Sequence, residues 1–512
     1  MMLLTMLATL TVHIVQANLQ TQSSASLAST HEHRQLQATN ATYPAIAGYL
    51  PRTDVVQHNR IDLDQRAMEA ALNAFDWTSA LSVYASGRHS QGSSGLRTLR
   101  SFSTRAQALM YSSCPGCPYR HYSMFYTYYG DFDYADKWVS AALAGTNMNF
   151  ASGRFGPNDF STLGNLARLE AVQKGTAYMN VWMYVIREFE DAIDDCHSCT
   201  GANCNEHSST LNAGAVHAWD EGVAFYTGSL EGENVGGNRT GELVYRLAEM
   251  RCVNFGTCGP DGDSTVGTSK VNIELLALFE QGARKIERGE CSAVRPIVTK
   301  IVSLMAVPLV QGALRYAYLV GMVPSSRTPK AAAEGSVFTA AVLPMVHHCS
   351  PGAAATISAN MRNGLFDAGV YPNFLAVKAA FESTYACLGF TCDQVGALQN
   401  SSGSLLHADT AACITVTSSP PPPPPPNLWL KLSSDPTSIV IAVVVPLVLF
   451  FLASALFLMI RHRLERRKPQ RASIEFTVYG GGLANNDEKA KGPGMPQMKV
   501  GPSKLDHIYG AV

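Results

Sequence analysis

Neither sign of charge dominates this 512-residue chain, in which 39 Lys and Arg face 40 Asp and Glu for a formal net charge of −1. With no basic excess, it lacks the electrostatic footprint of a nucleic-acid partner. Period-two alternation of apolar and polar residues is scarce, which argues against a sheet-based fold. The chain also has no Gly-x-Ser-x-Gly elbow, no His-Glu-x-x-His helix and no haem attachment motif. Hydrolases and haem proteins of those kinds are therefore disfavoured. Cysteine is missing after position 413, whereas twelve cysteines precede it, at 114, 117, 196, 199, 204, 252, 258, 291, 349, 387, 392 and 413.

That one-sided distribution matches the hydropathy. Residues 1–17 form an apolar run ending in Val15-Gln16-Ala17, a signal-peptide h-region with a small residue at the cleavage position but no basic n-region. Residues 18–38, rich in Ser, Gln and Thr, read as a disordered leader. A second apolar run, 438–460, carries no charge. As a helix it would extend roughly 35 Å, enough for a bilayer core, and Pro446 is tolerable in such a span. Arg461, Arg463, Arg466, Arg467, Lys468 and Arg471 follow directly. The positive-inside rule then puts residues 461–512 in the cytoplasm and the cysteine-bearing part outside. The expectation is a type I single-pass protein of the plasma membrane with a glycosylated, disulfide-bonded ectodomain at 39–413. Sequons at Asn40, Asn238 and Asn400 all fall on the outer side. Within the spacer 414–437, Pro420–Pro426 predicts a stiff polyproline II segment that holds the ectodomain off the lipid.

Roughly 375 ectodomain residues exceed the usual single-core size, so two lobes are expected. A loose echo between Phe75–Gly87 and Phe279–Gly289 fits that expectation without proving duplication. From Leu63, apolar residues recur at threes and fours through Met68, Ala71, Leu72, Phe75 and Leu81, until Gly87 ends the helix. Residues 165–196 and 271–289 predict two further amphipathic helices, and 297–320, apolar nearly all round, a buried central one. The fold class is all-α, a mainly helical ectodomain followed by one transmembrane helix and a disordered tail.

Candidate chemistry concentrates in Ala215–Gly232. On a helix His217, Asp220 and Glu221 stand at i, i+3 and i+4 and share a ridge, a plausible ligand set for a metal ion, with Tyr226 a turn or two beyond. The competing reading packs His217 and Trp219 into a core and leaves the carboxylates in water. A second ridge, Tyr184, Glu188, Asp191 and Asp195, lies along one helical stripe. A third cluster, Asp131, Asp133 and Asp136, reads as a helix cap or a loose calcium loop. Carboxylate and phenolate oxygens suit a hard cation such as Fe(III) better than zinc or copper.

Several blocks resemble the algal iron-assimilating, low-iron-inducible periplasmic proteins and the related phytotransferrins: SALSVYASGRHS, YYGDFDYADKWVSAAL, HAWDEGVAFYTGSLEG, LAEMRCVNFGTCG, VPLVQGALRYAYLV and EGSVFTAAVLPMVHHC. The resemblance spans most of 60–395, in order, and leaves out the proline run, the span and the tail. It implies extracellular ferric iron capture for uptake, with carbonate as synergistic anion. A carbonate needs a cationic partner, and Arg246, Arg251 and Arg315 lie inside the matching blocks as candidates. The terminal Tyr509-Gly-Ala-Val512 resembles the tyrosine signals that endocytic adaptors read, so internalisation completes the expected cycle. Two alternatives stand beside it: a metal-dependent enzyme using His217 with Asp220 or Glu221, and an adhesion or cell-wall interaction protein.

Overall fold

Phe75 adopts a left-handed backbone with φ of +55°, and this breaks the first amphipathic stretch into two helices. The first, α1, covers Ile61–Asn73. The second, α2, covers Trp77–Ser86 and starts where the Asp76 side chain accepts the Ser79 N–H. Periodicity alone runs one helix through this region, because Phe75 keeps the apolar spacing while its backbone leaves it. Gly87, at φ +67°, closes α2 as its position suggested. The computed structural model describes residues 43–150, 155–156, 158–199 and 214–413. The leader, the spacer, the 438–460 span and the tail, with Asn40, Tyr509 and Val512, lie outside these residues.

The remaining long helices follow in order: α3 Arg120–Tyr129, α4 Tyr134–Ala144, α5 Asn165–Gly175, α6 Trp182–Ser198, α7 Ala215–Thr227, α8 Val244–Phe255, α9 Lys270–Glu287, α10 Arg295–Met322, α11 Pro329–Cys349, α12 Pro351–Met361 and α13 Phe374–Glu382. Strand among the described residues amounts to two hairpins of two-residue strands, Gln91–Gly92 with Gly95–Leu96 and Asn147–Met148 with Asn158–Asp159. The class is all-α. A π-helical turn, Thr176–Val181, joins α5 to α6 without interrupting the helical run. Such turns insert a residue and rotate the following side chains, and they recur near functional sites.

Helix α10 is apolar nearly all round and is surrounded: α8, α9, α11 and α13 all pack on it. By length and composition it could cross a membrane, yet 89% of its most apolar window is buried inside the protein. It is the core helix expected at 297–320. One continuous core runs from Ala47 to Leu398, with Trp138, Trp182 and Trp219 among its fully buried side chains. The expected division into two lobes is not what the packing produces, since the described residues share this core and fall in one unit. The echo between 75–87 and 279–289 reflects two amphipathic helices. Fully burying one large apolar side chain contributes about 1.5–3 kcal/mol, so a core of this extent offsets the chain entropy without a second lobe.

Close approach in the core fixes the helices that matter for chemistry. A Cβ at Gly282 of α9 would sit 2.0 Å from the Trp219 ring of α7, and one at Gly222 of α7 would sit 2.7 Å from Phe189 of α6. Only glycine fits at these two crossings, which locks α7 against both neighbours. Disulfides cross-link the described residues at Cys114–Cys117, Cys196–Cys291, Cys252–Cys258, Cys349–Cys387 and Cys392–Cys413, with Cα separations of 4.9–5.9 Å. Cys114-x-x-Cys117 closes on itself. Cys196 instead bridges to Cys291, linking the end of α6 to the start of the core helix, and Cys199 is also disulfide-bonded.

Candidate metal centre

Helices α6 and α7 pack along their lengths and set Glu188 and Asp191 within electrostatic reach of Glu221 at one site. At its centre the Glu221 carboxylate oxygen Oε1 lies 3.0 Å from His217 Nε2, one turn earlier on α7. The same oxygen lies 2.9 Å from Nε2 of His58, in the short helix Val56–Asn59. The three ligand atoms fall within 4.8 Å of one another. Two imidazoles and a carboxylate converging at this spacing can hold a single metal ion while leaving coordination positions open. All three side chains are partly buried, with 13–26% exposure, so solvent reaches the site.

The orientation of His217 is set from behind. Its Nδ1 lies 2.9 Å from Thr53 Oγ1, and that hydroxyl donates its one proton to Asp220 Oδ2 at 2.9 Å. The hydroxyl oxygen therefore accepts the Nδ1–H, leaving Nε2 to face Glu221 or a metal. Asp220 itself points away from the centre. Its Oδ1 accepts from the Tyr49 hydroxyl, and its Oδ2 accepts from the Arg52 and Thr53 amides as well as from Thr53 Oγ1. A fully buried carboxylate with four donors orients the loop 49–53; it is not free to bind an ion. Burial pushes its carboxyl up to about 6, against those four donors.

The α6 ridge supplies oxygen and charge. Glu188, 1% exposed, bonds through Oε2 to Arg187 at 2.6 Å, while its Oε1 has no hydrogen-bond partner. Burial first, and then the Glu221 charge, push its carboxyl up to about 8. Tyr184 stacks on Phe102 at 4.3 Å and meets Phe225 edge-on at 5.6 Å; burial and Glu188 hold its hydroxyl far above the ordinary tyrosine range. Phe225 also lies 5.8 Å from the His58 ring, so one aromatic side chain separates the phenol from the imidazole. Asp191 pairs with Arg187 at 2.9 Å, and burial lifts its carboxyl to about 6 against that pairing. Asp195, lifted by burial, stands a turn further on along α6.

Opposing pressures meet at Glu221. Burial would raise its carboxyl, but hydrogen bonds from His217 and His58 hold it well below the usual range. Burial likewise opposes a charged His217, and Glu221 overrides it, holding the imidazole above its ordinary value. A metal ion would replace protons at both Nε2 atoms, so capture releases protons.

A family profile of low iron-inducible periplasmic proteins (Fea1) matches residues 33–415. The chain belongs to this family. No curated protein and no solved structure matches it. Membership in the low iron-inducible periplasmic proteins ties the chain to iron assimilation, and residues 33–415 contain every described residue of the centre.

The other residues singled out from the sequence lie elsewhere in this family member. Tyr226 is fully buried and donates to Asn272 Oδ1 at 2.6 Å, away from the imidazoles. Asp136 is held by Arg100 and Tyr84, and Asp131 pairs with Lys137. Arg246 and Arg251 line a cavity walled by α1, α5, α8, α10, α11 and residues 239–242, with Arg315 close enough to repel Arg251. None of the three touches the imidazole cluster, whereas Arg187, absent from the sequence candidates, stands beside Glu188. Asn238 and Asn400 are exposed. Sequence reasoning missed His58 and Thr53, since a histidine in a four-residue helix and a loop threonine carry no periodic signal.

Proposed function

We propose that this protein captures ferric iron at the cell surface and passes it on for uptake, without turnover of a substrate. The observation that carries the reading is the convergence of His58 Nε2, His217 Nε2 and a Glu221 oxygen within 4.8 Å, in a chain of an iron-assimilation family. Iron is cargo here. Glu188 on the facing helix, whose carboxyl feels the Glu221 charge and whose Oε1 has no hydrogen-bond partner, adds a hard oxygen donor, while Tyr184 stays behind the Phe225 ring. Carbonate fills remaining positions, and the cation that supports it is Arg187, whose buried Nε has no partner, rather than Arg246, Arg251 or Arg315. Anchored by the apolar run 438–460, the loaded ectodomain is internalised through an adaptor that reads Tyr509 and Val512, and acid then expels the metal.

A second reading follows from the imidazole pair, which equally suits a divalent ion such as Fe(II) or Zn(II). Metal analysis of the full-length chain in detergent, loaded at pH 8 with Fe(III), Fe(II) or Zn(II) and with or without bicarbonate, separates the two. One bicarbonate-dependent Fe(III) per chain, lost in Glu221→Gln, supports the proposal. Preferential Zn(II) or Fe(II) supports the second reading. Failure of every ion to bind overturns both and favours an adhesive role, and multiple turnover of a substrate would make the centre catalytic.

A further inference from the structure

Arg251 is 93% buried by its 7% exposure, yet among the described residues its Nε and Nη1 have no hydrogen-bond partner and no carboxylate forms an ion pair with it, Glu334 acting on it only through its charge. Leaving a guanidinium in that state costs far more than a satisfied hydrogen bond returns, unless something else supplies the acceptor. The side chain borders a cavity of about 540 Å³, lined also by Arg246, Lys174, Glu69, Glu334 and the aromatic trio Tyr178, Tyr316 and Phe338. The aromatic floor is well ordered: Phe338 stacks on Tyr178 at 5.3 Å and on Tyr316 at 5.9 Å, and the Arg251 guanidinium stands 5.8 Å from its ring. Around the wall, most cations are already matched. Lys174 is held by Glu170 and Glu334, Arg66 by Glu242 and Arg239 by Glu249. Arg246 makes no ion pair among the described residues, so two guanidiniums on α8 are left over. The cavity shares no lining residue with the imidazole cluster.

We propose that this cavity is a second ligand site, which binds a small hydroxylated di- or tricarboxylate on Arg251 and Arg246. Carboxylates supply the planar, bidentate acceptors that two uncommitted guanidiniums lack. Hydroxyl groups match the glutamates of the wall, Glu69 and Glu334, which accept hydrogen bonds but would repel further charge. Burial followed by the neighbouring Glu242 pushes the Glu69 carboxyl up to about 7, so it can also donate near neutrality. The volume excludes nothing of that size, and the stacked aromatic floor gives the carbon skeleton an apolar surface.

Titration calorimetry of the full-length chain in detergent with citrate at pH 7.5 tests the site, with inorganic phosphate as competitor. Citrate should bind one per chain. Arg251→Met should weaken it at least tenfold and, by removing an unpaired buried charge, raise the citrate-free melting temperature. Arg246→Gln, at a partly buried position with no ion pair to lose among the described residues, should weaken citrate several-fold with no change in folding, so the test survives a poorly folding Arg251 variant. His217→Ala should leave citrate affinity as it is, which separates this site from the proposed iron centre. Absence of citrate binding at millimolar concentration, or wild-type binding in both arginine variants, overturns the proposal. Full displacement by equimolar phosphate overturns the carboxylate assignment, and loss of citrate in His217→Ala alone would relocate the ligand to the metal centre.

Discussion

Replacing Thr53 by valine removes one oxygen and keeps the volume, which isolates the hydroxyl that links Asp220 to His217. In the native chain Thr53 Oγ1 accepts from His217 Nδ1 at 2.9 Å and donates to Asp220 Oδ2 at 2.9 Å. Asp220 keeps the Tyr49 hydroxyl and the Arg52 and Thr53 amides in the variant, so the 49–53 loop should hold. His217 loses the hydrogen bond at Nδ1 and with it the restraint on tautomer and ring angle. The net loss of such a hydrogen bond is about 1 kcal/mol, rising to about 3 kcal/mol if the Nδ1–H stays buried and unpaired. Outer-shell substitutions of this kind lower metal affinity about 10–100-fold, or about 1.4–2.7 kcal/mol. Competition titration with a chelator, alongside thermal melting of the metal-free chain, measures both. The expected pattern is weaker metal binding with a small loss of stability, while Glu221→Gln abolishes binding. Unaltered metal affinity in Thr53→Val, with Glu221→Gln still defective, would refute the orienting role; undiminished binding in both would refute the centre.

Acidification should empty the site without a reductant, because protons compete with the metal for His217 Nε2, an imidazole that Glu221 holds above its ordinary value; the metal content of dialysed samples between pH 8 and pH 5 measures it, and retention at pH 5 contradicts acid release. The metal-free chain should respond differently. The raised His217 contributes stability that is full below its unfolded value and lost as pH rises through the folded one, whereas the lowered Glu221 contributes above its unfolded value and loses it as pH falls. Glu188→Gln mimics the protonated carboxyl and should flatten the decline in stability between about pH 4.5 and pH 8 that a carboxyl raised to about 8 imposes, seen as a smaller melting-temperature difference between pH 5 and pH 8; an unchanged difference would place Glu188 in a more polar setting than the packing indicates. Removing the Cys196–Cys291 bridge by double serine substitution frees a loop closed across 95 positions, and denaturant unfolding should show a loss of about 2–5 kcal/mol. Full stability would mean that α6 and α10 hold each other without it.

Local chemistry alone determined much of this protein. The class, the helix over 271–289, the buried character of 297–320 and the stop at Gly87 follow from apolar spacing and backbone preference, which act within a few residues. Spacing also brought His217 and Glu221 together, since four residues at 3.6 per turn return to nearly the same face. The same rule put Asp220 on the ridge and could not go further. Asp220 and Glu221 diverge by about 100° around the axis, and only the packing of α7 decides which of the two faces α6 and which faces the 49–53 loop. His58 and Thr53 arrive from more than 150 positions away, a distance at which no periodicity operates. Cysteine pairing is equally long-range: Cys196 chose Cys291 over its near neighbour Cys199 because the end of α6 meets the start of α10. One core rather than two lobes, and a buried Arg251 left without a partner, are properties of the assembled helices. Sequence writes the helices and their faces; which faces meet is settled only when the core closes.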